Sequence, residues 1–303
     1  MTRLLVIIAV VGAVLCTVCF GAAAALGGHA LAAGYWPFGG PSFDWRGPET
    51  TREIAWSGGD ALEIALPADV VYTQDPNAKL TVSGPKGAVD HVIMDGDQLT
   101  FEGRDRYSPM SGSHEFRLKV LVASPSTHSF ALLGSPNLTI EGFNQDRLDI
   151  DIKGGGHAVA RGQAQRLSVE VFGSGEADLA GLVAQDADVD MKGSGKASIA
   201  TRTSADVSIY GSGDVTGIGQ AKRVKVEIKG SGNANLGGVA ADEAEVEIMG
   251  SGDVSVAPKT LADITIKGSG DVDLVGRPAT LNSRIKGSGK IHQREAASVA
   301  AAS

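Results

Sequence analysis

The sequence predicts an all-β protein: a right-handed parallel β-helix of about 19 residues per coil, with an N-terminal β cap. Three observations predict it. The triplet Gly-Ser-Gly begins at residues 173, 193, 211, 230, 250, 268 and 287, a beat of 18–20 residues. Short segments of alternating apolar and polar residues flank the triplets. Glycine supplies 41 of the 303 residues, about twice its average share of ~7%.

The first element is an address. Arg3 precedes an apolar run from Leu4 to Leu26, followed by small residues that include Ala30-Leu31-Ala32. The small-x-small pattern fits a signal-peptidase site. The run also exceeds the roughly 20 residues that cross a bilayer. Residues 1–33 are therefore read as a signal peptide or a membrane anchor, and both readings export the rest of the chain. The two cysteines, Cys16 and Cys19, lie in this run. No later residue can form a disulfide or a thiolate metal site. Leu15 and Val18 precede them, not the small residue of a lipoprotein cleavage site. Residues 34–50, punctuated by Gly34, Pro37, Gly39, Gly40, Pro41, Gly47 and Pro48, read as a linker.

Residues 51–130 lack the triplet beat and read as the β cap. Alternation predicts strands near 61–66, 69–73, 79–83, 90–94, 98–102 and 116–122. Asp75-Pro76-Asn77, Gly84-Pro85-Lys86-Gly87 and Asp95-Gly96-Asp97 separate them as turns.

Residues 131–292 are the coils. Two degenerate marks, Gly134-Ser135-Pro136 and Gly154-Gly155-Gly156, extend the beat backward. Before a triplet stand segments such as Val224-Lys225-Val226-Glu227-Ile228 and Ala244-Glu245-Val246-Glu247-Ile248; after it stand shorter ones such as Asp271-Val272-Asp273-Leu274. Strict alternation is a strand with one buried face. A 19-residue unit of this kind cannot bury that face alone, so the units stack, each strand pairing in parallel with the next coil about 4.8 Å away. Val226, Val246 and Ile264 then form one interior ladder, and Ile228, Ile248 and Ile266 its neighbour. Right-handedness follows from parallel crossovers in general. A leucine-rich repeat has a similar period, but its fixed Leu and Asn or Cys positions are absent. The turn glycines are Gly154, Gly173, Gly175, Gly193, Gly195, Gly211, Gly213, Gly230, Gly232, Gly250, Gly252, Gly268, Gly270, Gly287 and Gly289. They turn the corner and let backbones approach closely. Residues 293–303, polar and then Ala-rich, read as a disordered tail.

Four segments, Ala68-Asp69-Val70-Val71-Tyr72-Thr73-Gln74, Leu80-Thr81-Val82-Ser83-Gly84, Gly96-Asp97-Gln98-Leu99-Thr100-Phe101 and Lys119-Val120-Leu121-Val122-Ala123-Ser124-Pro125, precede the serial triplets. With these residues the chain resembles the putative auto-transporter adhesin, head GIN domain family. The match covers roughly residues 52–291 and departs at the insertion around Arg104-Asp105-Arg106-Tyr107-Ser108-Pro109-Met110. The resemblance implies a secreted or envelope β-helical protein of bacteria, and no catalytic residues come with it.

Reaction chemistry is sparse. Seven equivalent triplet serines without a paired His argue for turn geometry rather than a nucleophile. Gly193-Ser194-Gly195-Lys196 lacks the first glycine of a P-loop, and Ala197 stands where Ser or Thr would hold magnesium. Asp214, Asp253 and Asp271 follow triplets, but Glu176, Lys196, Asn233 and Lys290 hold the equivalent places. A calcium ladder cannot carry Lys there; only an isolated ion near Asp253 and Asp271 remains open. Lys153, Lys192, Lys229, Lys267 and Lys286 form a column broken by Phe172, Tyr210 and Met249. It reads as a soluble face, or as a contact strip for an anionic polymer. His114-Glu115 opens like a zinc-protease motif, but Leu118 holds the second His place. Acid pairs such as Asp188/Asp190 and Glu245/Glu247 would serve a carbohydrate-active enzyme. Phe172 and Tyr210, however, are the only aromatics from Leu148 to Ile291.

A net charge of −8 and a pI near 5.3 exclude nucleic acid as a partner class. The expectation is an exported, non-enzymatic, adhesin-like binding or scaffold module of the bacterial periplasm, envelope or surface. Catalytic, cofactor-binding and metal residues are none, and no cofactor is expected. The partner would be an envelope or extracellular glycan or protein, the membrane if residues 1–33 stay attached, or a second copy by end-to-end stacking. The alternative is a polysaccharide lyase or hydrolase-like β-helix.

Overall fold

The computed structural model describes residues 47–102 and 116–294. The export segment with Cys16 and Cys19, the linker up to residue 46, the insertion at 104–110, His114 and the tail from 295 lie outside the described residues.

The cap comprises β1 (Glu49–Ile54), β2 (Ala61–Ile64), β3 (Ala68–Gln74), β4 (Lys79–Pro85), one helical turn α1 (Lys86–Val89), β5 (Val92–Asp95), β6 (Gln98–Phe101), β7 (Leu118–Ser124) and β8 (Ser129–Gly134). Seven long strands come next: β9 (Asn137–Gly154), β10 (His157–Gly173), β11 (Glu176–Gly193), β12 (Lys196–Gly211), β13 (Asp214–Gly230), β14 (Asn233–Gly250) and β15 (Val254–Gly268). The chain closes with β16 (Val272–Val275), β17 (Thr280–Gly287) and β18 (Ile291–Arg294). Together they make a β-solenoid of about 9 turns with roughly 19 residues per coil.

Alternation sets the register. β9 to β15 pair in parallel, each with the next. Along one interior ladder Leu62, Phe130, Ile150, Val169, Val189, Val207, Val226, Val246 and Ile264 stand in successive rungs. The neighbouring ladder runs Ile64, Leu132, Ile152, Val171, Met191, Ile209, Ile228, Ile248 and Ile266. All are buried, as the sequence pattern predicts for its last three rungs. Each such side chain contributes about 1.5–3 kcal/mol of transfer free energy.

The repeat length varies from 18 to 20 residues, and the two bends away from the triplet absorb the variation. The register is unbroken through the segment that leads into each Gly-Ser-Gly corner, for example Val226↔Val246 through Gly230↔Gly250. It slips at a first bend, between Leu179 and Val183, Thr216 and Ile218, and Leu236 and Ala240, and at a second, between Ala184 and Asp186, Thr201 and Ser204, and Ala241 and Glu243.

Sterics explain why the triplet corner cannot slip. Its first glycines, from Gly154 to Gly287, all have φ between +121° and +147°, where L side chains are strained. A Cβ on Gly173 would lie 2.6 Å from the Gly154 carbonyl oxygen, and closer still to its counterpart at the other seven corners. That same oxygen accepts the N–H of the next coil's triplet residue: Ser194 to Gly173 at 2.8 Å, Ser231 to Gly211 at 2.8 Å, Ser269 to Gly250 at 2.8 Å.

The cap threads through the stack rather than sitting on it. β3 is parallel to both β7 and β9 and lies between them; β2 lies likewise between β6 and β8. Tyr72 locks this crossing. Its buried ring meets Phe130 edge-on, with centroids 4.9 Å apart. Its hydroxyl donates to the carbonyls of Ser124 and Thr127 in the turn between β7 and β8, at 2.9 and 3.1 Å. Burial pushes its pKa up to about 12. At the N-terminal end the direction reverses: β4 is antiparallel to β7, β1 to β4 and β5 to β6. α1 buries Ala88 and Val89 across the end of the core.

Among the described residues the C-terminal end has no such plug. β17 pairs only with β15, and all eight of its residues are exposed. Leu281 and Ile285 continue interior columns, opposite Ala262 and Ile266, yet are 37% and 42% exposed.

Gly142 also has positive φ, +66°, but nothing stands within 4 Å of a Cβ there. Gly142→Ala should cost about 1–2 kcal/mol, the backbone penalty alone. Gly230→Ala adds overlap with the Gly211 carbonyl and should cost more than about 3 kcal/mol. Urea unfolding followed by circular dichroism measures both; equal costs would refute the corner argument.

Candidate binding surfaces

Outward side chains form columns with the same pitch as the ladders. On the face of the β9–β15 segments preceding the triplets, the outermost column reads Lys153, Phe172, Lys192, Tyr210, Lys229, Met249, Lys267, Lys286. Cation and soft apolar group alternate up to Lys267, so neighbouring lysines stand two coils apart. Lys192 lies 4.5 Å from the Phe172 ring centroid and Lys229 lies 4.8 Å from that of Tyr210, both in cation–π range. The adjacent column is acidic and pairs with it: Lys153 with Asp151 at 2.5 Å, Lys192 with Asp190 at 2.8 Å, Lys267 with Glu247 at 2.7 Å, and Lys229 with Glu227. These hydrogen bonds raise the pKa of Lys153, Lys192 and Lys229, and the bond from Lys267 lowers that of Glu247. The strip is largely self-neutralised.

The residues after the triplets form a second rail. Asn233 donates to Asp214 at 2.9 Å and accepts the N–H of Asp253 at 3.1 Å. Asp253 accepts the N–H of Asp271 at 2.8 Å, and Asp271 that of Lys290 at 2.7 Å. Asp253 and Asp271 therefore hold backbone between coils. Among the described residues no three His, Cys, Asp or Glu side chains gather closely enough to hold a metal ion. The triplet serines stand at the glycine corners in successive coils, and the hydrogen bond each makes to the coil before it comes from its backbone N–H. Of the histidines, His157 lies 3.6 Å from Glu176 and His292 3.8 Å from Asp271, both on the surface.

Shallow grooves cross the described surface. One, about 350 Å³, is lined by Arg147, Arg166, Asp186, Asp188, Ser204 and Asp206 among others, with no aromatic ring. Asp188 stands opposite Asp206 in the ladder. Partial burial, followed by repulsion from Asp206, Asp190 and Glu170, raises its pKa. A second, also about 350 Å³, contains Asn233, Asn235, Asp253, Ser255, Asp273 and Arg294. A third, about 280 Å³, follows the second bend where the register slips. Asn144, Gln163, Gln165, Gln185 and Arg202 line it. Gln163 donates to Asn144 at 3.0 Å and Gln165 to Asp146 at 2.8 Å. This amide rail escapes a reading centred on the triplets, although the same beat marks it: Asn144 and Gln163 are 19 residues apart, and so are Asp146 and Gln165.

Fold and surface define a β-solenoid whose outer faces are regular, open and polar. A family model described as "Putative auto-transporter adhesin, head GIN domain" matches residues 60–221 and 184–278. The chain belongs to that family. Solved structures similar to it include a putative lipid binding protein from Parabacteroides distasonis, 24% identical with a TM-score of 0.56 over 82% of this chain and 97% of that one. A putative adhesin from Parabacteroides merdae is 18% identical with a TM-score of 0.60, again over 82% and 97%. A putative adhesin from P. distasonis is 18% identical with a TM-score of 0.58, over 82% and 98%. At these identities the likeness shows the fold. No curated protein matches the sequence.

Because the folded state raises the pKa of Asp188, it binds that proton more tightly than the unfolded chain does. The charged carboxylate therefore weakens the fold above its folded pKa, and the penalty fades as pH falls toward the unfolded value. Asp188→Asn should raise Tm at pH 7 by less than about 2 °C. The gain should vanish near pH 3, and thermal scans at the two pH values check it.

Proposed function

We propose that the protein is an exported, non-enzymatic binding or scaffold module of the bacterial envelope. It would hold an elongated envelope polymer along its side. The amide-lined groove carries this reading. Asn and Gln present donors and acceptors that suit hydroxyl-rich chains, and Arg202 adds a cation. The rail repeats at the coil pitch, about 4.8 Å, so one contact mode recurs along the ligand. The groove is open rather than enclosing, as a long polymer requires. Family membership supports an adhesin-like role, and the apolar run from Leu4 to Leu26 supports export.

The carbohydrate-active alternative has one observation in its favour, the raised pKa of Asp188 beside Asp206 in a groove. A general acid needs such a shift. That groove offers no aromatic platform for a sugar ring.

The test is co-sedimentation of the purified full chain in non-ionic detergent with insoluble peptidoglycan and with envelope polysaccharides. Retention should fall at least about fivefold, roughly 1 kcal/mol, when Gln163 and Gln165 are replaced by Ala. Unchanged retention would remove the amide rail from the proposal. Release of reducing ends that Asp188→Asn abolishes would establish the enzyme instead.

A further inference from the structure

Among the described residues the two ends of the solenoid carry opposite charge. From Gly276 to Arg294 there is no Asp or Glu, against Arg277, Arg284, Lys286, Lys290 and Arg294. In a chain of net charge −8 this last coil stands apart. The reason is local. Lys153, Lys192, Lys229 and Lys267 each meet an acid, but in the column beside Lys286 the acid places are taken by Thr265 and Arg284. Arg294 is paired, with Asp273 at 2.9 Å. Among the described residues the side chains of Arg277, Arg284, Lys286 and Lys290 face no carboxylate. At the other end, residues 47–102 hold ten acids and three bases, and Glu49, Asp95 and Asp97 have no cationic partner there.

The strand edges match as well. In one sheet the outermost described strands are β5 at the N-terminal end and β17 at the other; in the second sheet they are β1 and β18. Each pairs with a strand on one side only among the described residues; Arg52 donates to the Val92 carbonyl at the start of β5, and the rest of each edge meets no further strand. β17 brings the exposed apolar side chains Leu281 and Ile285, and β5 brings the half-exposed Ile93 and Met94.

We propose that the basic C-terminal edge docks on the acidic N-terminal edge of a second copy, so that β17 faces β5 and β18 faces β1 of the neighbour. Arg284 and Lys286 would then lie near Asp95, Lys290 near Glu49 and His292 near Glu53. The same cations forbid the competing arrangement, because two C-terminal edges would bring Arg284 and Lys286 against their own copies. The contact is head-to-tail, so it does not close on itself. This goes beyond ligand binding along the side, which uses other residues.

Sedimentation of the full chain in non-ionic detergent tests it, at about 0.05 M and about 0.5 M salt. Protein mass per particle should rise with concentration, and the added salt should weaken association about tenfold, because the screening length falls from ~14 to ~4 Å over this range. Arg284→Glu with Lys286→Glu should abolish the rise. Adding Asp95→Lys to the same chain should restore it. Circular dichroism confirms that each variant folds, and a variant that unfolds is replaced by mixing the two charge-reversed chains, which should associate only with each other. A monodisperse protein overturns the proposal; the cations then merely guard the edge. Stronger association of an Arg284→Gln, Lys286→Gln chain overturns it in favour of paired C-terminal edges. A monodisperse protein that binds poly-glutamate through Arg284 and Lys286 overturns it in favour of a foreign acidic strand.

Discussion

The structure depends on the close approach of one backbone to the next at the triplet corner. The carbonyl of each corner glycine occupies the space where the next corner's Cβ would be, and accepts a hydrogen bond from the residue beyond. Only glycine permits both at once. With the corners pinned, the segment leading into each corner is in register with its counterpart one coil away, and apolar side chains stack on apolar side chains from Leu62 to Ile264. The bends away from the triplet make such a contact at Gly162 and Gly219 but not in every coil, and take up the difference between 18- and 20-residue repeats. A solenoid of unequal coils thus keeps one straight seam.

The seam governs the exterior too. Stacking in register sets like above like, which would line up lysine with lysine. Alternation with Phe172, Tyr210 and Met249, together with an acidic column alongside, prevents that over most of the length. The outer face is therefore polar but electrically quiet, and the departures from this pattern are local. They are the acid cluster at Asp186, Asp188 and Asp206, the amide rail, and the two ends.

Much of this architecture is legible in the sequence, because the governing rules are periodic. The triplet beat marks the coil and strict alternation marks the ladders; Val226, Val246 and Ile264 lie where alternation puts them. Three features are not legible there. β1, whose core Thr50-Thr51-Arg52-Glu53 does not alternate, carries no strand signal. The insertion of β3 between β7 and β9 depends on pairing between segments far apart in the chain, which no local pattern encodes. The amide rail sits at a variable bend, where unequal spacing blurs the beat. The broken lysine column is visible, but its pairing with acids depends on side-chain reach rather than on sequence order.

The threaded cap fixes the order in which the molecule can complete itself. β3 needs β7 on one side and Asn137–Glu141 of β9 on the other, and the carbonyls that receive the Tyr72 hydroxyl lie at Ser124 and Thr127. A chain delivered N-terminus first cannot close this junction until Glu141 has emerged. The coils beyond have no finished template to grow on before then. Once the junction has closed, each further rung finds a finished edge on which to add.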